Sequence, residues 1–472
     1  MSLTYEAGPR VSPLTYDDVI ARKSASVPAS GFVVDPAALA PHLYPHQRDL
    51  VRWALRRGRS AIFADTGLGK GLMLIEWARM VSEHGRVLVL APLAVGPQLA
   101  AEARRFGVEM PYVRDASSDA DIVVTNYELL HHFNPDDFEG VVLDESSILK
   151  SFDGKTKQRL CDAFAETPFR LACTATPAPN DFTELGNHSE FLGLKTRAEM
   201  LAEFFCHDGG STQDWRVKGH AVTAFWRWVS SWGAVVKKPS DLGHDDGAFS
   251  LPPLTMEEHP VALTDAQRAD LPAEARTLTE QRKVRRATIA ERVAEAARLA
   301  RMPGQSVVWC ELNDEQQALA DELGDHAVTI EGSTPDDAKL ERHERWKRGE
   351  VPCLISKPAI FGFGLNWQHC ARVIFIGASH SYERTYQAIR RCWRFGQAQA
   401  VTVYMVRSEL EAAVVENYRR KEADNAAMAA AMVANVGEAL RAEVRGLTRE
   451  FNPYLPDVPM TVPSWIATEE TR

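Results

Sequence analysis

Two hydrophobic patterns recur along this chain: helical stripes and short unbroken apolar runs. Leu50, Val51 and Leu55 share one face of a helix expected over 47–57, and Leu72, Leu74, Ile75 and Ala78 do so over 71–81. Between them, residues 60–64 form a buried-type apolar run that enters a glycine-rich loop. Further runs predict strands at 87–91, 122–125, 140–143 and 170–174, with helices at 96–106 and 155–164. Short apolar strands separated by helices imply a parallel sheet covered on both faces.

The rhythm breaks over 196–262, which is rich in Trp (Trp215, Trp226, Trp228, Trp232), Gly and charge. These indoles either stack nucleic-acid bases or form a small core of the insert itself. A long helical stretch over 264–302 follows, dense in arginine (Arg282, Arg285, Arg286, Arg292, Arg298, Arg301); these side chains either track a phosphate backbone or form a solvated face. A second alternation places strands at 306–310, 327–330, 353–356, 372–376 and 401–406, and helices at 315–323, 336–348 and 382–391. An Ala-rich helix over 409–445 and a Pro-rich tail close the chain. The expected division is an arm (1–42, with a short helix near 16–23), a first lobe (43–195), an insert and helical linker (196–302), a second lobe (303–425) and a C-terminal helix and tail (426–472). The fold class is therefore α/β, two tandem parallel-sheet lobes with a small helical insert between them.

Composition narrows the function only slightly. The 472 residues suffice for two or three domains, and 45% hydrophobic with 25% charged residues is ordinary for a globular protein. No apolar run reaches the roughly 18 residues of a membrane span, and no secretory signal pattern is expected. The seven cysteines contain no CxxC pair and read as reduced thiols of a cytoplasmic protein. A net charge of -10 argues against binding nucleic acid by bulk charge, while leaving room for a basic groove.

Three short strings carry chemistry. Ala64-Asp65-Thr66-Gly67-Leu68-Gly69-Lys70-Gly71 stands between a strand and a helix, as a phosphate-binding loop must. Its backbone amides can cradle phosphate at a helix N-terminus, with Lys70 reaching the outer phosphates. Gly71 occupies the place of the usual Ser/Thr, which is a magnesium ligand. Val141-Val142-Leu143-Asp144-Glu145 is an apolar strand ending in adjacent carboxylates, where Asp144 can hold hydrated Mg2+ and Glu145 can orient an attacking water. Gln387, Arg391 and Arg394 are spaced to share one helix face, and paired guanidiniums can stabilise a transferring phosphoryl group. Two weaker signals carry no site: His207-Asp208 lacks a second cluster of metal ligands, and Gly154-Lys155-Thr156 lacks a preceding strand.

Taken in order, these strings resemble the superfamily 2 helicases, most closely their Swi/Snf-like branch of DNA-dependent ATPases, over about residues 43–425. Leu43-Tyr44-Pro45-His46-Gln47 resembles the adenine-reading segment, with Tyr44 and Gln47 as its ATP contacts; Thr66, Gly67, Leu68, Gly69, Lys70 and Gly71 stand in the phosphate loop. Ala91-Pro92-Leu93 and Thr125-Asn126-Tyr127-Glu128 resemble the strand-contacting motifs, and Asp144-Glu145-Ser146-Ser147 stands for the Asp-Glu-x-His box. Thr174-Ala175-Thr176-Pro177, followed by Asn180, resembles the motif that couples hydrolysis to lobe movement. In the second half, Glu331-Gly332-Ser333-Thr334, Gly362-Phe363-Gly364-Leu365-Asn366 and Arg391-Cys392-Trp393-Arg394-Phe395-Gly396-Gln397 resemble later motifs of the same branch.

The resemblance implies two RecA-like lobes that bind ATP and Mg2+ between them, with Gly364 among the ATP contacts and Asp144 holding the metal through water. It implies DNA contacts at Pro92, Thr125, Asn126, Ser333, Thr334, Ser356, Lys357 and Asn366, and coupling through Thr174 and Thr176. The expected partner is DNA, duplex or branched, in preference to RNA; no membrane partner and a monomeric chain are expected. The expected setting is phage replication or recombination, as in compact phage-encoded members. A strand-separating helicase on DNA or RNA and a catalytically weak scaffold, suggested by Gly71, are the alternatives. Restoring the missing hydroxyl by Gly71→Thr is expected to tighten Mg-ATP binding.

Overall fold

Strands whose two faces are both covered read as near-continuous apolar runs, and the central strands of this protein include several buried at every position. The computed structural model describes residues 27–444 except 94, 151–153, 179–180, 208–214, 272–276, 362–365 and 378–380. The expected helix near 16–23, Asn180, Asp208 and Gly362 to Leu365 therefore lie outside the described residues.

The first sheet is built from β1 (Arg59–Ala64), β2 (Val87–Ala91), β3 (Ile122–Asn126), β4 (Gly140–Asp144) and β5 (Phe169–Cys173). A short antiparallel hairpin, β6 (Phe205–His207) and β7 (Trp215–Val217), belongs to the insert, and β8 (Gly233–Val236) then joins the first sheet. Its order is β3-β2-β4-β5-β1-β8, parallel throughout. The second sheet contains β9 (Leu254–Val261), β10 (Ser306–Cys310), β11 (Ala327–Thr329), β12 (Cys353–Ser356), β13 (Arg372–Ile376) and β14 (Val401–Ser408). Its order is β11-β12-β10-β13-β14-β9, again all parallel. The protein is thus a tandem pair of RecA-like α/β lobes, with the helices Arg197–Phe204 and Val222–Ser230 between them.

Three local expectations change. No strand is expected over 196–262, yet β8 and β9 complete the two sheets at their edges. The insert's indoles are largely committed to packing. Trp228 and Trp232 are wholly buried, edge to face at 5.3 Å, in the same core as β1 and its neighbours, and Trp226 is buried with them. Trp215 remains half-buried against His207.

The helical stretch expected over 264–302 is three helices, Asp265–Asp270, Leu278–Ala287 and Ile289–Ala300. Thr288 interrupts the last two, its hydroxyl donating to the Val284 carbonyl at 2.9 Å, a local bond that competes with helix continuation. Of its arginines, Arg292 is fully buried and bonds Glu315 at 2.6 Å, and Arg285 reaches the same carboxylate at 3.1 Å. These two fasten the linker to the helix Asn313–Leu323 and are neither solvated nor placed to follow a phosphate backbone. Finally, the helix expected over 382–391 ends at Ile389, so Arg391 and Arg394 sit in the turn beyond it.

The C-terminal helix Ala412–Val444 leaves the second lobe and returns to the first, where Met432, Val436 and Leu440 enter its core and Arg441 donates to the Asp241 carbonyl. Removing a large side chain where the insert meets this core leaves a cavity. Trp232→Ala is therefore expected to destabilise the protein by about 3–5 kcal/mol, read as a shift of the denaturant unfolding midpoint; a surface-like change below about 0.5 kcal/mol would refute this packing.

Candidate nucleotide site between the lobes

β1 ends at Ala64, and the chain turns through Asp65 to Gly69 before the helix Lys70–Val81 begins. The turn needs left-handed backbone at Gly67 (φ 93°) and Gly69 (φ 80°). It also needs their missing side chains: a Cβ on Gly69 would lie 2.2 Å from Gln47 Nε2, and one on Gly67 3.0 Å from the Phe395 nitrogen. The loop is thus packed from both sides, by the first lobe's Gln47 and the second lobe's Phe395. Lys70 opens the helix and donates to the carbonyls of Ala64 (2.9 Å) and Asp65 (3.4 Å).

The expected chemical residues converge. Thr66, Gly67, Gly69, Lys70, Gly71, Asp144 and Glu145 from the first lobe line one cleft with Gln387, Arg391 and Arg394 from the second. Glu145 follows the end of β4 with φ 53°, a left-handed value that costs a residue with a Cβ about 1–3 kcal/mol and recurs at functional sites. Thr174, wholly buried after β5, donates to Glu145 at 3.5 Å and accepts from the Thr176 amide at 3.1 Å. Ser146, in the box, is hydrogen-bonded to buried His188 at 3.1 Å; burial pushes that imidazole down to about 4, so it is neutral.

The electrostatics favour a charged guest. Burial, then the neighbouring charge of Glu145, push the Asp144 carboxyl up to about 7, against the pull of Lys70. Burial and the like charge of Arg394 weaken Arg391's hold on its proton. Gln387 is buried in the cleft wall, and its Nε2 has no hydrogen-bond partner among the described residues. A phosphate oxygen would satisfy Gln387, anionic phosphates would be attracted to the guanidiniums, and a divalent cation would relieve Asp144. The residues therefore fit a magnesium nucleotide. Among the described residues no three Asp, Glu, His or Cys side chains gather to hold an ion alone, so the metal would rely on nucleotide oxygens and water.

Other expected contacts are placed differently. Gln47 is spent inside the protein: its Oε1 accepts from the Tyr44 amide at 3.0 Å and its Nε2 donates to the Leu68 carbonyl at 3.0 Å, so it braces the loop. Tyr44 is exposed, edge-on to Phe249 at 4.9 Å and 6.3 Å from Phe395, forming an aromatic wall on which a base can rest. Of the DNA candidates, Ser333 and Asn366 are exposed and Pro92 and Lys357 are partly so. Thr125, Asn126, Thr334 and Ser356 are buried. Asn126 is tied to Tyr112 and Glu128, Ser356 to the Ile330 carbonyl and Thr334 to the Glu331 amide. Asn126 and Ser356 are the last residues of β3 and β12. Gly364 lies outside the described residues.

The sequence reading passes over two tie points. Asp65 accepts from Tyr386 at 2.7 Å and pairs with Arg390 at 3.0 Å, both from the second lobe, with Lys237 at 3.9 Å. Burial alone would raise the Asp65 carboxyl, but Arg390 and Lys237 hold it below its ordinary value. Glu102, from the helix Gly96–Arg105, also lines the cleft. Arg390 directly precedes the string that begins at Arg391, with nothing local to mark Asp65 as its partner; Glu102 had no signal beyond the gap left by Gly71.

Residues 289–396 match the family model of the helicase conserved C-terminal domain. The second lobe is thus similar to a helicase C-terminal domain. Among solved structures this chain is similar to the Sulfolobus solfataricus SWI2/SNF2 ATPase core in complex with dsDNA, with 18% identity and a TM-score of 0.40, covering 80% of this chain and 90% of that one. No curated protein matches it. No helix among the described residues is long and apolar enough to cross a membrane.

Asp144 gives the protein a pH signature. Between about pH 4 and its raised value near 7, the folded protein keeps a proton that the unfolded chain has lost, so stability falls as pH rises through this window. Asp144→Asn removes that slope. The melting temperature of Asp144→Asn minus that of the native chain, without nucleotide, is expected to grow from about pH 5 to pH 7 and then level; a difference independent of pH would contradict the assignment.

Proposed function

We propose that this protein is a DNA-stimulated ATPase of the Swi/Snf-like helicase branch, which moves on duplex DNA or remodels branched DNA. The observation that carries this reading is the cleft that combines Lys70, Asp144 and Glu145 of one lobe with Gln387, Arg391 and Arg394 of the other. The loop amides and Lys70 would hold the outer phosphates of ATP, and Asp144 would hold the hydrated metal. Bound Mg2+ neutralises the phosphate oxygens during transfer. Glu145 would orient the attacking water, and Arg391 and Arg394 would stabilise the charge of the transferring group.

Because the site is complete only when both lobes contribute, nucleotide binding favours the closed arrangement and release favours an open one. Alternating the two would alternate the grip of the lobes on a DNA strand. The ordered motifs support the Swi/Snf-like branch, and the resemblance to compact phage-encoded members supports a place in phage replication or recombination. Gly71 favours one competing reading, a DNA-binding scaffold with little turnover.

ATP turnover measured alone and with duplex DNA, single-stranded DNA or RNA separates these readings. Duplex DNA is expected to stimulate most, and Lys70→Ala and Arg391→Ala are each expected to lower kcat by about 1000-fold or more. Absence of turnover under every condition leaves the scaffold; stimulation by RNA alone overturns the duplex-DNA reading.

A further inference from the structure

We infer that Glu102 replaces the missing hydroxyl of the phosphate loop, supplying a carboxylate oxygen beside Gly71 to the Mg2+ that accompanies ATP, directly or through one water. The inference rests on the ATP-site reading above and names a residue that the helicase motifs do not contain.

A Cβ built on Gly71 would lie 3.0 Å from Glu102 Oε2 and 3.4 Å from Leu99 Cδ2. The space that a Ser or Thr side chain would fill is therefore already bordered by a carboxylate oxygen. Glu102 comes from the last turn of the helix Gly96–Arg105, whose Leu99 is buried against the same wall, so the carboxylate is aimed from a regular element. It lines the cleft with Lys70, Asp144 and Glu145, near enough to Asp144 that the two charges oppose each other.

The surroundings explain why an acid is tolerated there. Burial lifts the Glu102 carboxyl above its ordinary range, while Arg394 and Arg105 draw it back. When a nucleotide draws Arg394 to its phosphates, Glu102 loses a cation and gains one in the metal. Mg2+ is commonly held by one or two carboxylates together with phosphate oxygens and water, and Asp144 and Glu102 supply that number from one cleft. Glycine at 71 and glutamate at 102 are thus two halves of one exchange: a neutral ligand leaves the loop and a charged one enters from the neighbouring helix.

This geometry revises the expectation for Gly71→Thr. A threonine would push Glu102 aside and exchange one ligand for another, leaving the magnesium requirement close to that of the native chain.

The test is a MgCl2 titration of the binding of a fluorescent, non-hydrolysable ATP analogue to the full chain, with a parallel arm in EDTA. Glu102→Gln and Glu102→Ala are each expected to raise the magnesium midpoint about 10–100-fold. Their metal-free affinity is expected to be equal or tighter, because a negative charge beside the phosphates is gone. Adding Gly71→Ser to Glu102→Ala should recover most of the shift. An unchanged midpoint in both variants, with binding still abolished by Lys70→Ala, overturns the role of Glu102 and leaves the ATP site standing. Equal losses with and without metal overturn it too, assigning Glu102 to packing. Failure of the native chain to bind the analogue in either arm overturns the ATP-site reading and this inference together.

Discussion

Parallel pairing of β1, β5 and β4 in one register is the constraint on which the site depends. Ile62 of β1 and Asp144 of β4 both stand opposite Cys173 of β5. The residues that leave these strands, Asp65 to Lys70, Glu145 and Thr174, therefore emerge together at one edge of the sheet. Crossover helices force every strand to point the same way, so that edge collects only carboxyl ends. A slip of one residue would turn Asp144 to the opposite face of the sheet and separate it from Lys70.

The second constraint is the charge that closes the cleft. Asp65 belongs to the phosphate loop, yet its partners Tyr386 and Arg390 belong to the other lobe. A buried pair of this kind is weak evidence of net stability, because desolvation offsets much of the attraction. It does fix register: one carboxylate with two directional partners admits few relative placements of the lobes. Arg390 also lies over the rings of Trp393 and Tyr386, at 4.4 and 5.0 Å, which holds the guanidinium where Asp65 meets it.

Central strands were readable because burial on both faces leaves an unbroken apolar run, as at Val87–Ala91, Ser306–Cys310 and Arg372–Ile376. Edge strands obey other rules. Leu254–Val261 includes Glu257, Glu258, His259 and Pro260, residues suited to one open side, and its run reads as a loop. Lys70, Asp144, Arg391 and Arg394, singled out by motif, do line one cleft, although the last two stand beyond the helix whose face they were expected to share. Gln47, Glu102 and His188 were not singled out, or not in these roles. Their partners, the Leu68 carbonyl, Gly71 and Ser146, are set by tertiary approach and leave no local pattern.

Among the described residues the chain crosses between the lobes twice, once after β8 and again through the helix Ala412–Val444, whose far end lies in the first lobe's core. A single linker would let the lobes swing as two beads on a string. Two crossings make a closed loop of chain, so opening becomes a rotation about a defined axis rather than a free separation. The second lobe then stays at high effective concentration above the phosphate loop even when the cleft is open. Reclosure becomes a short, directed movement, the kind of stroke that lends itself to repetition along a polymer.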